Sequence, residues 1–134
     1  MQFAKEMLAA ASQLERAGHV CFMPLQVKEY AGGEIMYLHG ENADQKIEHD
    51  VIHNHSRLID KSDAVLVLNY TKKHIDNYIG GNAFLEMGYA HVLNKKIFLL
   101  NPIPDIEFYK PEMVAMRPII LNGDLSLIKE EAKI

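Results

Sequence analysis

The run Ala64-Val65-Leu66-Val67-Leu68 is continuously aliphatic, with no polar residue on alternate positions, and turn-forming or polar residues bracket it. A strand of this composition needs apolar cover on both faces, which is the situation in a parallel sheet flanked by helices. A half-solvated antiparallel strand would alternate instead. A second run, Lys96-Ile97-Phe98-Leu99-Leu100, stopped by Asn101-Pro102, has the same character. At five aliphatic residues the first run is also far short of the about 20 that a membrane-crossing helix needs.

The segments between these runs carry helical spacing. Phe3, Met7, Leu8, Ala11 and Leu14 recur at three- and four-residue steps and predict a helix over 3–17 that Gly18 ends. Residues 44–61 place Ile47, Val51, Ile52, His55, Leu58 and Ile59 on one stripe. Residues 83–93 form a third helical pattern, closed by Asn94-Lys95-Lys96 with cations at the negative helix end. Short strands are expected at 19–23 and 118–121, short helices at 112–116 and 125–132, and a surface loop over 31–44 around Gly32, Gly33 and Gly40. Strands alternating with helices predict an α/β fold, a Rossmann-like or flavodoxin-like three-layer sandwich with a mostly parallel sheet. A chain of 134 residues fits one such domain, 1–134. Such domains normally open with a strand, and this sequence opens in a helix.

Composition narrows the function classes. Fourteen Lys and Arg against eighteen Asp and Glu, with no basic run, provide no electrostatic footprint for a nucleic acid polymer. The first twenty residues are interrupted by Lys5, Glu6, Glu15 and Arg16 and do not read as a signal peptide. A single cysteine, Cys21, in an apolar stretch reads as a buried thiol and, with the missing leader pattern, suggests a cytoplasmic location. In HDVIHNH, His49 and His53 have the spacing of a two-histidine metal site, but a metal needs a third ligand, the Glu of the zinc-protease motif is absent, and hydrogen-bonded or solvated histidines are preferred.

The densest chemical signal is YIGGNAFLEMGYAH, where a glycine loop turns into a helix between the two aliphatic strands. Ligands of open α/β sheets bind beyond the carboxyl ends of the strands. Gly80-Gly81 allows close backbone approach, and first-turn amides can face an anion. Glu86 lies among Phe84, Leu85, Met87 and Ala90, with Gly88 leaving room beside it. A partly desolvated carboxylate there can attack an electrophilic sugar carbon. The competing assignment is a helix-surface carboxylate that favours the helix dipole. Asn69, at the end of the first strand, can donate to and accept from a ligand, and Asn82 stands next to the glycines. Tyr70, Tyr78 and Tyr89 could stack on a base or bond a sugar hydroxyl. Lys72, Lys73, His74, Asn77 and Arg57 are charged or polar candidates for a phosphate contact, or exposed loop residues.

The stretch SDAVLVLN followed by GGNAFLEMGYAHVLNKKIFLLNPIPD resembles the nucleoside 2-deoxyribosyltransferases and the related deoxynucleoside-monophosphate N-glycosidases. The specific part runs from Ser62 to Pro104, and element order agrees from about Phe3 to Ile128. The resemblance implies a flavodoxin-like fold, Glu86 as nucleophile, a homo-oligomer (a dimer or higher) and neither metal nor organic cofactor. The expected partner is a small-molecule nucleoside or nucleotide, with no nucleic acid polymer and no membrane. Two features depart from the family pattern. The family's opening strand is not present after Met1, as in a shortened sheet or a chain that continues upstream. The family Asp eight positions before Asp63 is His55 here, and another, six before Glu86, is Gly80. His55 can donate a proton near neutral pH, with Asp63, Asp50 and His53 as other donors. The expected chemistry is N-glycosyl cleavage with water, or 2-deoxyribosyl transfer to a second base. The alternative is a non-catalytic nucleotide-binding or sensor module of the same fold.

Overall fold

The computed structural model describes residues 3–23, 50–129 and 134. Along the chain these form α1 (Ala4–Arg16), α2 (Val51–Asp60), β1 (Ala64–Val67), α3 (Gly81–Val92), β2 (Lys96–Leu99), α4 (Lys110–Ala115), β3 (Ile119–Ile120) and a 3₁₀ turn at Leu125–Leu127. The expected loop over 31–44 and residues 44–49 of the second helix lie outside the described residues, as does His49.

The three strands form one open, all-parallel sheet in the order β1-β2-β3. Ala64 pairs with Lys96 and Val67 with Leu99, and Phe98 pairs with Ile119. The absence of polar alternation has the expected cause, because each sheet face buries its own apolar cluster. Ala64, Phe98 and Leu100 pack with Ala10 and Leu14 of α1 and with Leu125 and Ile128, and Leu66 and Leu68 border them. On the opposite face Ile97 and Leu99 join Ile59 of α2, Met87 and Ala90 of α3 and Met113 of α4, bordered by Val65 and Val67. The fold is therefore α/β with a small parallel sheet, and among the described residues no helix is long and apolar enough to cross a membrane.

Two expected elements are altered. The stretch 19–23 is not a ladder strand. Its backbone instead bonds the last residue, with Ile134 N donating to Val20 O at 2.8 Å and Phe22 N to Ile134 O at 2.6 Å. The expected helix over 125–132 is only a 3₁₀ turn in its described part. Asp124 begins it by accepting from Ser126 N and Ser126 Oγ, a local side-chain competition with helical bonding that short polar residues favour.

The segment between β1 and α3 is more regular than a polar loop. Lys72 and Ile75 exchange both backbone bonds, at 3.1 and 2.9 Å, around Lys73 and His74, whose φ angles are 53° and 61°. Positive φ at both central residues is the signature of the tight hairpin turn that usually takes Asn-Gly. Tyr78 N then donates to Tyr70 O at 3.1 Å and brings the chain back to the carboxyl end of β1, where α3 begins.

Candidate functional site

α2 and α3 pack side by side on one face of the sheet, and two polar rungs join them. His55 Nδ1 donates to Glu86 Oε1 at 2.5 Å, and one turn farther on, Tyr89 Oη donates to the Asp60 carboxylate at 3.2 and 3.3 Å. Both rungs advance in the same direction along the two helices, so the helices run parallel, as expected of helices that each lead into neighbouring parallel strands. His55 falls on the inward stripe of α2 with Val51 and Ile59 because the spacing is four residues. Glu86 lies in the second turn of α3, since that helix starts at Gly81, two residues earlier than the apolar pattern indicates.

The two side chains are unequally exposed, at 14% for His55 and 35% for Glu86. With Glu86 ionised and accepting, the ring proton resides on Nδ1. Nε2 is buried and has no hydrogen-bond partner among the described residues. An imidazole in this arrangement fixes one carboxylate oxygen, Oε1, and leaves Oε2 for a ligand.

Glu86 and His55 open onto a cavity of about 950 Å³. Gly80, Gly81 and Asn82 line it at the start of α3, with Lys72 and Tyr78 from the hairpin loop and Phe84 from α3. A Cβ on Gly81 would meet nothing within 4 Å, whereas one on Gly80 would come within 3.3 Å of Tyr78 Cε1. A side chain at Gly80 would require the Tyr78 ring to shift by a few tenths of an ångström, whereas Gly81 leaves free space at the cavity wall. Lys72 Nζ lies 5.5 Å from the centre of the Tyr78 ring. Burial, and then the charge of Lys73, hold the Lys72 ammonium below its ordinary pKa. This cation is consequently poised to gain from a neighbouring anion. Phe84 stacks on Tyr109 with centroids 4.5 Å apart, and Tyr109 Oη donates to Ile79 O at 2.7 Å, which anchors the glycine turn.

Other sequence candidates fall elsewhere. Asn69 is fully buried, and its side chain is consumed by the neighbouring strand end. Nδ2 donates to Asn101 O at 2.8 Å and Pro102 O at 3.1 Å, while Oδ1 accepts from Asn101 N at 2.9 Å. Asn101 Nδ2 returns a bond to Asn69 O at 3.1 Å. The donor and acceptor capacity that suggests ligand contact thus clamps the carboxyl ends of β1 and β2 together. Asp63 precedes β1 at its amino end and accepts through its backbone from Lys96 N, and it does not line the cavity. Tyr89 faces Asp60 on the outer side of the helix pair, where desolvation and then that carboxylate raise its phenol pKa. His53 bonds Asp50 at 2.9 Å on the surface, and among the described residues no group of three potential metal ligands assembles. Gly88 opens toward Met116 Cε at 3.8 Å and not toward Glu86.

No protein-family model, no curated protein and no solved structure matches this chain.

Proposed function

We propose that this chain binds a 2′-deoxyribonucleoside or its 5′-monophosphate in the cavity beside Glu86 and breaks or transfers its N-glycosyl bond. The observation that carries this reading is the His55–Glu86 pair at the wall of a large cavity, next to an unobstructed Gly81. Supporting it is the resemblance of Ser62 to Pro104 to the deoxyribosyltransferases and N-glycosidases. The proposal extends to a flavodoxin-like three-layer arrangement and to a cytoplasmic homo-oligomer.

In this mechanism Glu86 Oε2 attacks the anomeric carbon as the bond to the base nitrogen breaks. The electron pair leaves with the base, which takes a proton from solvent, and a glycosyl ester remains on Glu86. Water then attacks the same carbon and restores the carboxylate, giving free sugar; a second base in place of water gives a new nucleoside. His55 has its Nδ1 on Glu86 and its Nε2 buried, so its task here is to orient the nucleophile. This differs from the leaving-group acid that its chemistry alone suggests. Lys72 and Tyr78 sit where a phosphate and a base could be held, and Asn82 at the start of α3 adds donors.

Chromatography of a panel of 2′-deoxynucleosides and their 5′-monophosphates, with and without an added base, tests the reading. Release of free base that Glu86→Ala abolishes is the expected result, and exchange with the added base distinguishes transfer from hydrolysis. No release from any member of the panel would reject the enzymatic reading. Saturable nucleotide binding without turnover would then favour the non-catalytic module, a reading supported by the engagement of Asn69 in a purely structural clamp.

A further inference from the structure

Tyr109 does not line the cavity, yet it holds the turn that does from both sides of Gly80. Its hydroxyl donates to Ile79 O at 2.7 Å, and its ring stacks on Phe84 with centroids 4.5 Å apart and planes at 29°. Phe84 N in turn donates to Gly80 O at 3.0 Å and closes the first turn of α3. The tyrosine is itself held from behind. Its N bonds Ile106 O at 3.3 Å, and its carbonyl accepts at 3.2 Å from the N–H of Met113, a residue buried in the core. Burial, and then Tyr78, raise the phenol pKa, so the hydroxyl remains a donor through neutral pH.

Gly80 gives this attachment its consequence. Ile79 is buried, so removing the Tyr109 hydroxyl takes a donor from a buried carbonyl, which is unfavourable unless the oxygen turns elsewhere. Rotation of the Ile79–Gly80 peptide plane turns it, and that rotation needs a large change only in ψ of Ile79 and φ of Gly80. Gly80 now has φ of −79°, and a glycine passes to positive φ about as readily as it stays negative. The same rotation re-aims the Gly80 N–H, which belongs to the cavity wall immediately before Gly81 and Asn82. A ligand that meets this wall therefore meets a different set of donors in each orientation.

We infer that Tyr109 is a positioning residue for the cavity: its hydroxyl selects one orientation of the Ile79–Gly80 peptide and its ring seats Phe84, so that the wall from Gly80 to Phe84 meets a ligand already in its bound shape. The assignment rests on the nucleotide reading for the identity of the ligand, and on the two contacts of Tyr109 for the restraint. A wall that holds the competent shape in about one molecule of ten binds about tenfold more weakly, and saturating ligand draws the population back. Loss of the hydroxyl thus acts on KM and spares kcat.

Tyr109→Phe keeps the ring and its stacking on Phe84 and removes only the hydroxyl. In the free variant, NMR should show the Gly80, Gly81 and Asn82 amide signals split or broadened by exchange, with the signals of β2 and the circular dichroism like those of the wild type. Across the panel of 2′-deoxynucleosides and their 5′-monophosphates, KM should rise at least tenfold with kcat within about twofold, or Kd should rise at least tenfold where binding occurs without turnover. A tyrosine that only stabilises the fold would lower the urea midpoint and leave KM and the three signals alone, and that result overturns the inference. Turn signals that change while KM or Kd stays constant overturn it too, as does a fall in kcat at constant KM. If no member of the panel binds the wild type, the nucleotide reading fails by itself, and the three amide signals then decide the restraint: split signals in Tyr109→Phe uphold it, and single, wild-type signals overturn it.

Discussion

Replacing Asn69 by Ala separates a structural clamp from a ligand contact. The side chain is fully buried and makes three hydrogen bonds, donating to Asn101 O and Pro102 O and accepting from Asn101 N. Truncation leaves those three backbone groups without this partner and opens a small polar void. Each buried group left unpaired costs about 1–3 kcal/mol, and a water entering the void recovers part of that, so the expected loss is roughly 3–6 kcal/mol. Against the about 5–15 kcal/mol that holds a typical domain together, this is a large fraction. Asn69→Asp keeps the acceptor for Asn101 N but sets a carboxylate oxygen against two carbonyl oxygens, and should be destabilised as well. Urea unfolding followed by circular dichroism is the assay, with the midpoint falling and the slope unchanged. A loss below about 1 kcal/mol accompanied by failure to bind nucleotide would refute the clamp and restore Asn69 to the ligand.

Three other perturbations have definite expected outcomes. Gly81→Ala adds a methyl group that touches no protein atom, so stability should hold or rise slightly while nucleotide affinity falls at least tenfold; unchanged affinity, measured by calorimetry, would place the ligand elsewhere. The Lys73-His74 turn holds two L-residues at positive φ, and the double change Lys73→Asn with His74→Gly should raise stability by about 1 kcal/mol, readable as a higher Tm. Burial, and after it the Glu15 carboxylate, push the Cys21 thiol above its ordinary 9.0. The folded state therefore keeps its proton longer than the unfolded chain does, so the stability this group contributes is complete below pH 9.0 and declines as pH rises through the folded value. Cys21→Ala should make urea stability less dependent on pH above 9.0 than in the wild type, and an equal slope in both proteins would contradict the shift.

The parallel sheet was legible because its cause is local: two uninterrupted aliphatic runs can be covered only from both sides, and both became neighbouring parallel strands. Helices α1, α3 and α4 were legible for the same reason, with starts and ends displaced by one or two residues where no side-chain cap marks them, whereas α2 begins only at Val51 because Asp50 adopts a left-handed conformation. What one-dimensional reading could not reach were partnerships between distant residues. Asn69 has the chemistry of a ligand contact, and only the approach of Asn101, thirty-two positions later, turns that chemistry inward. His55 and Glu86 were each distinguishable as candidates, but their direct bond spans thirty-one positions and changes the role open to His55. Lys73 and His74 lack the Asn-Gly signal of their turn, and it was therefore hidden. The half-burial of β1 likewise appears only beside the fully buried β2, since the two sequences demand the same cover.

The nucleophilic role proposed for Glu86 is tested most directly by stopping with acid an incubation with a 2′-deoxynucleoside 5′-monophosphate or its nucleoside, and mapping modified peptides by mass spectrometry. The expected result is a deoxyribosyl ester on Glu86 in the wild type, absent from Glu86→Gln, with base released in step with ester formation. Base release that persists in Glu86→Gln, or an ester carried by any other residue, would contradict the mechanism.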